Sequence, residues 1–263
     1  MPRRLIAMIF LLSNTLACHT TAEPSQHGYK VTGSMSQSRE NFVQGLQIVD
    51  EHLYVGTGHY GKSRLLRYNM KDGVLDQARS VDARLFGEGV TILGDNVYQL
   101  TWRSGLALIY NKADLSAKKW FRIAGEGWGI TNNGKELIYS DGSSRLFFLS
   151  PETLTVTRTI QVTENGEPLL KLNELEWVEG EIWANIWTSN RIVIINPTDG
   201  MVSASVDLTG LLPHNERRPD TDVLNGIAHN PKDGSIWVTG KRWPWLYQIE
   251  LVPPRPKPER DLL

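Results

Sequence analysis

The sequence predicts an all-β fold, a five-bladed β-propeller closed by an N-terminal strand, on three observations. Short β-prone runs follow turn signals throughout the body of the 263-residue chain. A short motif recurs ahead of those runs, its middle position stepping by 44, 40, 45 and 52 residues. No long segment carries a clean 3.6-residue apolar period, so helices should be few. A repeat of roughly 40–50 residues with about four strands per unit is the sequence signature of propeller blades.

Taken from the N-terminus, residues 1–22 read as a targeting segment. Arg3 and Arg4 precede a short apolar run over residues 5–12, and small residues follow around Ala17, which is signal-peptide anatomy rather than a membrane span. Cys18, the only cysteine, sits directly behind that run. Its place resembles the acylation site of bacterial lipoproteins, although Thr15 stands where those usually carry Leu. Lipidation of Cys18 and its removal with the leader both stay open. Export to a bacterial periplasm is expected in either case, with Cys18 as the membrane anchor if it is lipidated. The mature domain then has no disulfide.

Residues 23–252 form the expected catalytic domain. Tyr29-Lys30-Val31-Thr32 is a lone strand ahead of the first motif. The motifs are Gln44-Gly45-Leu46, Glu88-Gly89-Val90, Trp128-Gly129-Ile130, Asn173-Glu174-Leu175 and Asn225-Gly226-Ile227. Each leads into a second strand, among them Leu53-Tyr54-Val55 and Ser235-Ile236-Trp237-Val238, and third and fourth strands follow. The last repeat ends early, after Leu246-Tyr247-Gln248-Ile249-Glu250. Pairing it with the lone strand would close the ring and cover both edges. Residues 253–263 are proline-rich and charged, an expected flexible tail.

Composition narrows the function. A net charge of −1, with 40% hydrophobic and 22% charged residues, fits a globular domain with a sizeable core. It argues against a nucleic-acid partner, which calls for a basic excess. No apolar run beyond the leader reaches bilayer-spanning length.

The inner strand of each blade lines the central channel, so the position before each motif's middle residue repeats around its mouth. Those residues are Gln44, Glu88, Trp128, Asn173 and Asn225. An apolar ring would pack more easily, since buried polar groups need partners. Glu88 is the acid–base candidate, its carboxyl pKa raised by desolvation near an aromatic wall. Trp102, Trp128 and Trp187 could form an aromatic box, whereas Trp120 is expected to pack between blades. Glu126 reads as a strand-start or solvent-facing group. Glu174 and Glu176 share a face opposite Asn173 and are open to a structural or a metal-ligating role.

Other chemistries find little support. The six histidines show no zinc spacing and one cysteine supplies no thiolate set. No Gly-x-Ser-x-Gly elbow occurs. Gly56-Thr57-Gly58-His59-Tyr60-Gly61 lacks the βαβ setting of a dinucleotide fingerprint. A calcium-dependent lactonase using Glu88, Asn173 and Asn225 lacks an inward Asp, and a non-catalytic peptide scaffold would tolerate changes at the channel mouth.

Phe42-Val43-Gln44-Gly45-Leu46, Gly87-Glu88-Gly89, Gln99-Leu100-Thr101-Trp102, Gly125-Glu126-Gly127-Trp128-Gly129, Leu172-Asn173-Glu174-Leu175-Glu176 and Asp222-Val223-Leu224-Asn225-Gly226-Ile227 resemble the plant and bacterial glutaminyl-peptide cyclotransferases. So do Trp183-Ala184-Asn185-Ile186-Trp187 and Val238-Thr239-Gly240-Lys241. The resemblance runs in order over about residues 29–250, with Val43 where relatives commonly have Thr. It implies a five-bladed propeller that converts N-terminal glutamine of peptides and proteins to pyroglutamate with release of ammonia. Glu88 would be the catalytic carboxylate. Phe42, Gln44, Trp102, Trp128, Asn173, Trp187, Lys241 and Asn225 would shape the substrate site. A monomer that needs no cofactor for catalysis is expected, and the resemblance leaves room for a structural metal ion.

Overall fold

A computed structural model describes residues 23–253. The leader with Cys18 and residues 254–263 of the tail lie outside them. Among the described residues the fold is all-β apart from one 3-10 turn, His214–Glu216. Strand β1, Ser25–Ser36, is followed by a meander of β2 (Val43–Val49), β3 (His52–Thr57), β4 (Arg64–Asn69) and β5 (Leu75–Ser80). A second meander contains β6 (Gly87–Leu93), β7 (Asn96–Thr101), β8 (Leu106–Asn111) and β9 (Ala117–Arg122). The third comprises β10 (Ile130–Asn132), β11 (Leu137–Ser140), β12 (Arg145–Leu149) and β13 (Val156–Gln161). A two-stranded hairpin, β14 (Thr163–Glu164) and β15 (Glu167–Pro168), precedes the fourth. That meander is β16 (Leu172–Val178), β17 (Glu181–Ile186), β18 (Arg191–Ile195) and β19 (Val202–Asp207). The last has three strands of its own, β20 (Leu224–Asn230), β21 (Ser235–Gly240) and β22 (Trp245–Val252).

Strand β1 supplies the missing edge. Its residues Gly28–Ser36 run antiparallel to β22, from Val252 back to Trp245. The sequence anticipated that pairing but not its extent. Residues Ser25–His27 also pair in parallel with Ala204–Val206 of β19, so one strand sews the fourth and fifth meanders into a single eight-stranded sheet. The longest repeat step, 52 residues, arises between β19 and β20, where residues 208–223 carry the 3-10 turn.

The first strands β2, β6, β10, β16 and β20 neighbour one another in cyclic order, β20 returning to β2. Apolar clusters fill the space between successive meanders. Tyr54 and Leu65 pack with Val90 and Val97 between the first two, and Val43 and Leu46 pack with Ala228 and Leu246 where the last meets the first. The fourth strands β5, β9 and β13 are largely exposed. Trp120 therefore does not pack between meanders as expected: on β9 it is 59% exposed.

The recurring glycines let the first strands crowd at the axis. A Cβ on Gly89 would meet Ile130 N and Trp128 O at 2.7 Å, and one on Gly129 would meet Asn173 O at 2.0 Å. Both contacts are with backbone of the next meander, which has little room to yield. Gly129→Ala is accordingly expected to lose about 1–3 kcal/mol or more of stability, read as a lower urea midpoint; an unchanged midpoint would contradict this packing.

The fourth motif has Glu174 in place of glycine, and its side chain crosses the axis instead. Its Oε1 accepts the Leu46 N–H at 3.1 Å and its Oε2 the Ile227 N–H at 2.8 Å. Glu176 accepts the His229 N–H at 2.9 Å and the Thr131 hydroxyl at 3.3 Å. Between a structural and a metal-ligating role, these bonds favour the structural one. All four carboxyl oxygens are engaged by N–H or O–H donors, which does not fit a metal ion. Among the described residues no three His, Cys, Asp or Glu side chains gather as a metal site, and no helix is long and apolar enough to cross a membrane.

Candidate active site

Four of the five first strands carry a register shift at the repeated motif. The shifts fall between Val43 and Gly45, Gly87 and Val90, Leu172 and Leu175, and Leu224 and Ile227. An extra residue in one strand leaves the ladder and re-aims its side chain. At three of these bulges Gln44, Glu88 and Asn173 are turned into a cavity of about 250 Å³ at one end of the ring. Phe42, Trp102, Trp128, Trp187 and Lys241 line the same cavity. Asn225, at the fourth bulge, does not. It is fully buried, and its contacts are with protein.

Those contacts form a directed chain. Asn173 Nδ2 donates to Asn225 Oδ1 at 2.7 Å, and Asn225 Nδ2 donates to Val43 O at 3.1 Å and to Gln44 Oε1 at 3.4 Å. Gln44 Nε2 in turn donates to Glu88 Oε1 at 2.9 Å. Four motif residues on four meanders thus end on one carboxyl group, and Asn225 acts as the buried link. Satisfied networks of this kind rigidify the groups they join.

Glu88 is 5% exposed. Burial pushes its carboxyl well above the usual range; the Lys241 ammonium pulls it down and the Glu126 carboxylate pushes it up. Lys241, also 5% exposed, is displaced the other way. Burial lowers its ammonium pKa, while the Glu88 and Asp222 carboxylates raise it. Its Nζ lies 4.9 Å from the Phe42 ring centroid. The site therefore holds an acid that keeps its proton unusually well beside a base that yields its proton unusually easily.

Aromatic rings line the cavity with this pair. Phe86 meets Trp102 at 5.5 Å and Phe42 at 6.2 Å between centroids, both edge-on. In the same lining, Trp128 and Trp187 meet at 5.4 Å and 83°. Edge-to-face contacts fix ring orientation as well as excluding water.

Comparison with known proteins decides the family. The family model described as glutamine cyclotransferase matches residues 5–251. The chain belongs to the glutamine cyclotransferase family. It is 37% identical over 228 residues to a glutaminyl-peptide cyclotransferase of Arabidopsis thaliana, spanning 84% of this chain and 71% of that one. Its fold is similar to the crystal structure of Myxococcus xanthus glutaminyl cyclase, with a TM-score of 0.82 and 31% identity over 89% of this chain and the whole of the other.

In this glutamine cyclotransferase family member the cavity has four further lining residues that sequence reasoning did not single out: Phe86, Thr188, Asp222 and Val223. Phe86 and Asp222-Val223 stand beside the motifs of Glu88 and Asn225, where adjacency was the available signal. Thr188 follows Trp187 at a positive φ of 71°, a turn no periodicity marks. Glu126, expected as a strand-start or solvent-facing group, lies in the loop ahead of β10 and stays partly exposed, yet its carboxylate is engaged by the protein. Its Oε2 accepts the indole N–H of Trp102 at 2.8 Å and that of Trp128 at 2.9 Å.

Proposed function

We propose that this protein cyclises the N-terminal glutamine of peptides and proteins to pyroglutamate, releasing ammonia, with Glu88 as the proton carrier. The observation that supports it most is the buried Glu88 carboxyl, held by Gln44 and faced by Lys241, at the bottom of a small aromatic-walled cavity. The cavity is smaller than the roughly 300–1,000 Å³ of drug-sized sites, which suits one terminal residue.

The α-amine nitrogen attacks the side-chain amide carbon, forming a carbon–nitrogen bond, and the bond from that carbon to the amide nitrogen then breaks. An α-ammonium has a pKa of about 7.7–8.0, so a carboxyl raised by burial exchanges protons with it at little cost. Glu88 takes the proton that the attacking amine sheds and delivers it to the departing nitrogen, which leaves as ammonia. Lys241 and the second amide hydrogen of Asn173 stabilise the oxyanion of the tetrahedral intermediate in this reading. The aromatic walls hold the glutamine side chain in its ring-closing conformation, an orientation effect.

The test is ammonia release from glutaminyl-alanine, with N-acetyl-glutaminyl-alanine as the blocked control. Turnover of the first alone, surviving a chelator, is expected. Absence of turnover in folded protein, or equal turnover of both peptides, would overturn the reading.

Lys241→Met adds a pH test. Removing this ammonium removes the influence that lowers the Glu88 carboxyl. The acidic limb of the kcat/KM profile should then move to higher pH, with kcat down about 10²–10³-fold. An acidic limb that stays put would separate Lys241 from Glu88.

We further propose that the chain acts as a monomer after export, with Cys18 either lipidated or removed with the leader. Palmitate labelling of the parent and of Cys18→Ala separates the two fates.

A further inference from the structure

We infer that Glu126 is a positioning residue, a clamp that fixes the indoles of Trp102 and Trp128 in the cavity lining through one shared carboxylate oxygen. Only the kinetic arm of its test rests on the cyclase reading.

The clamp is built from the local sequence. Glu126 lies between Gly125 and Gly127 in the loop joining β9 to β10. Gly127 lets that loop settle onto the end of β7. A Cβ there would stand 2.8 Å from Ile123 Cδ1 and 2.9 Å from Leu100 Cβ. Its N–H donates to Thr101 O at 3.2 Å and to Trp102 O at 3.0 Å. The glutamate is thereby pinned beside one tryptophan of the second meander and two residues ahead of another in the third.

An indole N–H is a donor with a single direction in the ring plane, so bonding it fixes where that edge of the ring points. Glu126 Oε2 receives both, at 2.8 and 2.9 Å. Oε1 accepts Arg103 Nε at 3.1 Å, and the Arg103 guanidinium carbon lies 3.9 Å over the Trp102 ring. Trp102 is thus held at its N–H and on its face. Three donors keep the Glu126 carboxyl below its usual range although burial alone would raise it, as a permanently ionised acceptor requires. The two tryptophans pack in turn on Phe86 and Trp187. One carboxylate therefore ties the two aromatic pairs together.

The side-chain length matters as much as the charge. Glu126→Gln removes the charge and replaces one acceptor oxygen by a donor. Glu126→Asp keeps the charge but is too short to reach both indoles. Both variants should lower kcat/KM for glutaminyl-alanine about 10–100-fold, the scale of a misplaced substrate contact. In a Trp102→Phe/Trp128→Phe background, which keeps the ring faces but has no indole N–H, Glu126→Gln should change the plateau of kcat/KM less than twofold, leaving only a shift of the acidic limb to lower pH as the Glu126 charge no longer raises the Glu88 carboxyl. Both single variants should also show increased acrylamide quenching of tryptophan emission in the resting protein. Full activity in Glu126→Asp would reduce the residue to a charge and overturn the clamp, as would an undiminished penalty in the Phe background. If the parent releases no ammonia, the cyclase reading fails by itself and quenching decides the clamp. Quenching equal to the parent overturns it.

Discussion

A Glu88→Gln protein is expected to fold as the parent does and to release ammonia from glutaminyl-alanine at least about 10²–10⁴-fold more slowly, the range of a lost acid–base group. The substitution is nearly isosteric and keeps an oxygen that can accept from Gln44 Nε2, now 2.9 Å from Glu88 Oε1. It removes the one function that neither Gln44 nor Asn173 can supply, a reversible proton. The Glu88 carboxyl is already displaced toward its protonated form by burial. Losing its charge should therefore cost the fold little, and the thermal midpoint should stay close to the parent's. Substrate should still enter, because the aromatic walls and Lys241 are untouched, so the loss should fall on kcat with KM little changed. Near-normal turnover in a folded variant would remove Glu88 from the mechanism. The nearest remaining proton carrier would then be Lys241, whose pKa burial has lowered.

Much of this arrangement was legible before any coordinates because the repeat makes positions comparable. The glycine of each motif marks where first strands approach, and the preceding residue marks what faces the cavity. That reasoning reached Gln44, Glu88, Trp128 and Asn173, all of which line it. It misplaced Asn225, which occupies the same repeat position but lies fully buried between Asn173 and Gln44. A period assigns a position, whereas hydrogen-bond partners on adjacent meanders decide whether the side chain meets the cavity or the protein. Glu126 was missed for a related reason. Its partners are on either side of it in sequence, but only the settling of the Gly125–Gly127 turn onto β7 brings the Trp102 and Trp128 N–H groups to one oxygen. The parallel pairing of Ser25–His27 with β19 had no sequence signal, because β1 has no fully buried residue and a strand without a buried face specifies its neighbours weakly.

Glu174→Ala should produce the largest loss of stability. Bulges at Gly45 and before Ile227 displace the adjacent ladder register, and the Leu46 and Ile227 N–H groups turn to the Glu174 carboxyl. Deleting it strands two buried donors at about 1–3 kcal/mol each, a sizeable share of the 5–15 kcal/mol typical of a domain. Glu174→Gln is no rescue, because an amide offers one acceptor oxygen and sets its NH₂ against the other donor. Its neighbour Glu176 gives the same argument a pH dependence. Burial raises its carboxyl to about 8 from 4.5, against the pull of its hydrogen bonds from His229 and Thr131. The folded protein then keeps a proton that the unfolded chain has released anywhere between those values. Stability should be fullest below about pH 4.5 as far as this group is concerned, and should decline through the window by up to about 1.4 kcal/mol per pH unit. Glu174, also raised well above its usual range by burial and by Glu176, adds a decline of the same sign. Acids such as Asp50 and Asp220, held low by their Lys112 and Arg242 partners, act on the acid side and leave this window clear. Urea midpoints should thus fall from about pH 5 to about pH 8, and Glu176→Gln should flatten that slope. An equal slope in parent and variant would place the titration elsewhere. The crowded axis explains why acids sit there at all: where bulged strands leave two N–H groups facing a space too narrow for a loop, a carboxyl is the one short side chain that accepts from both.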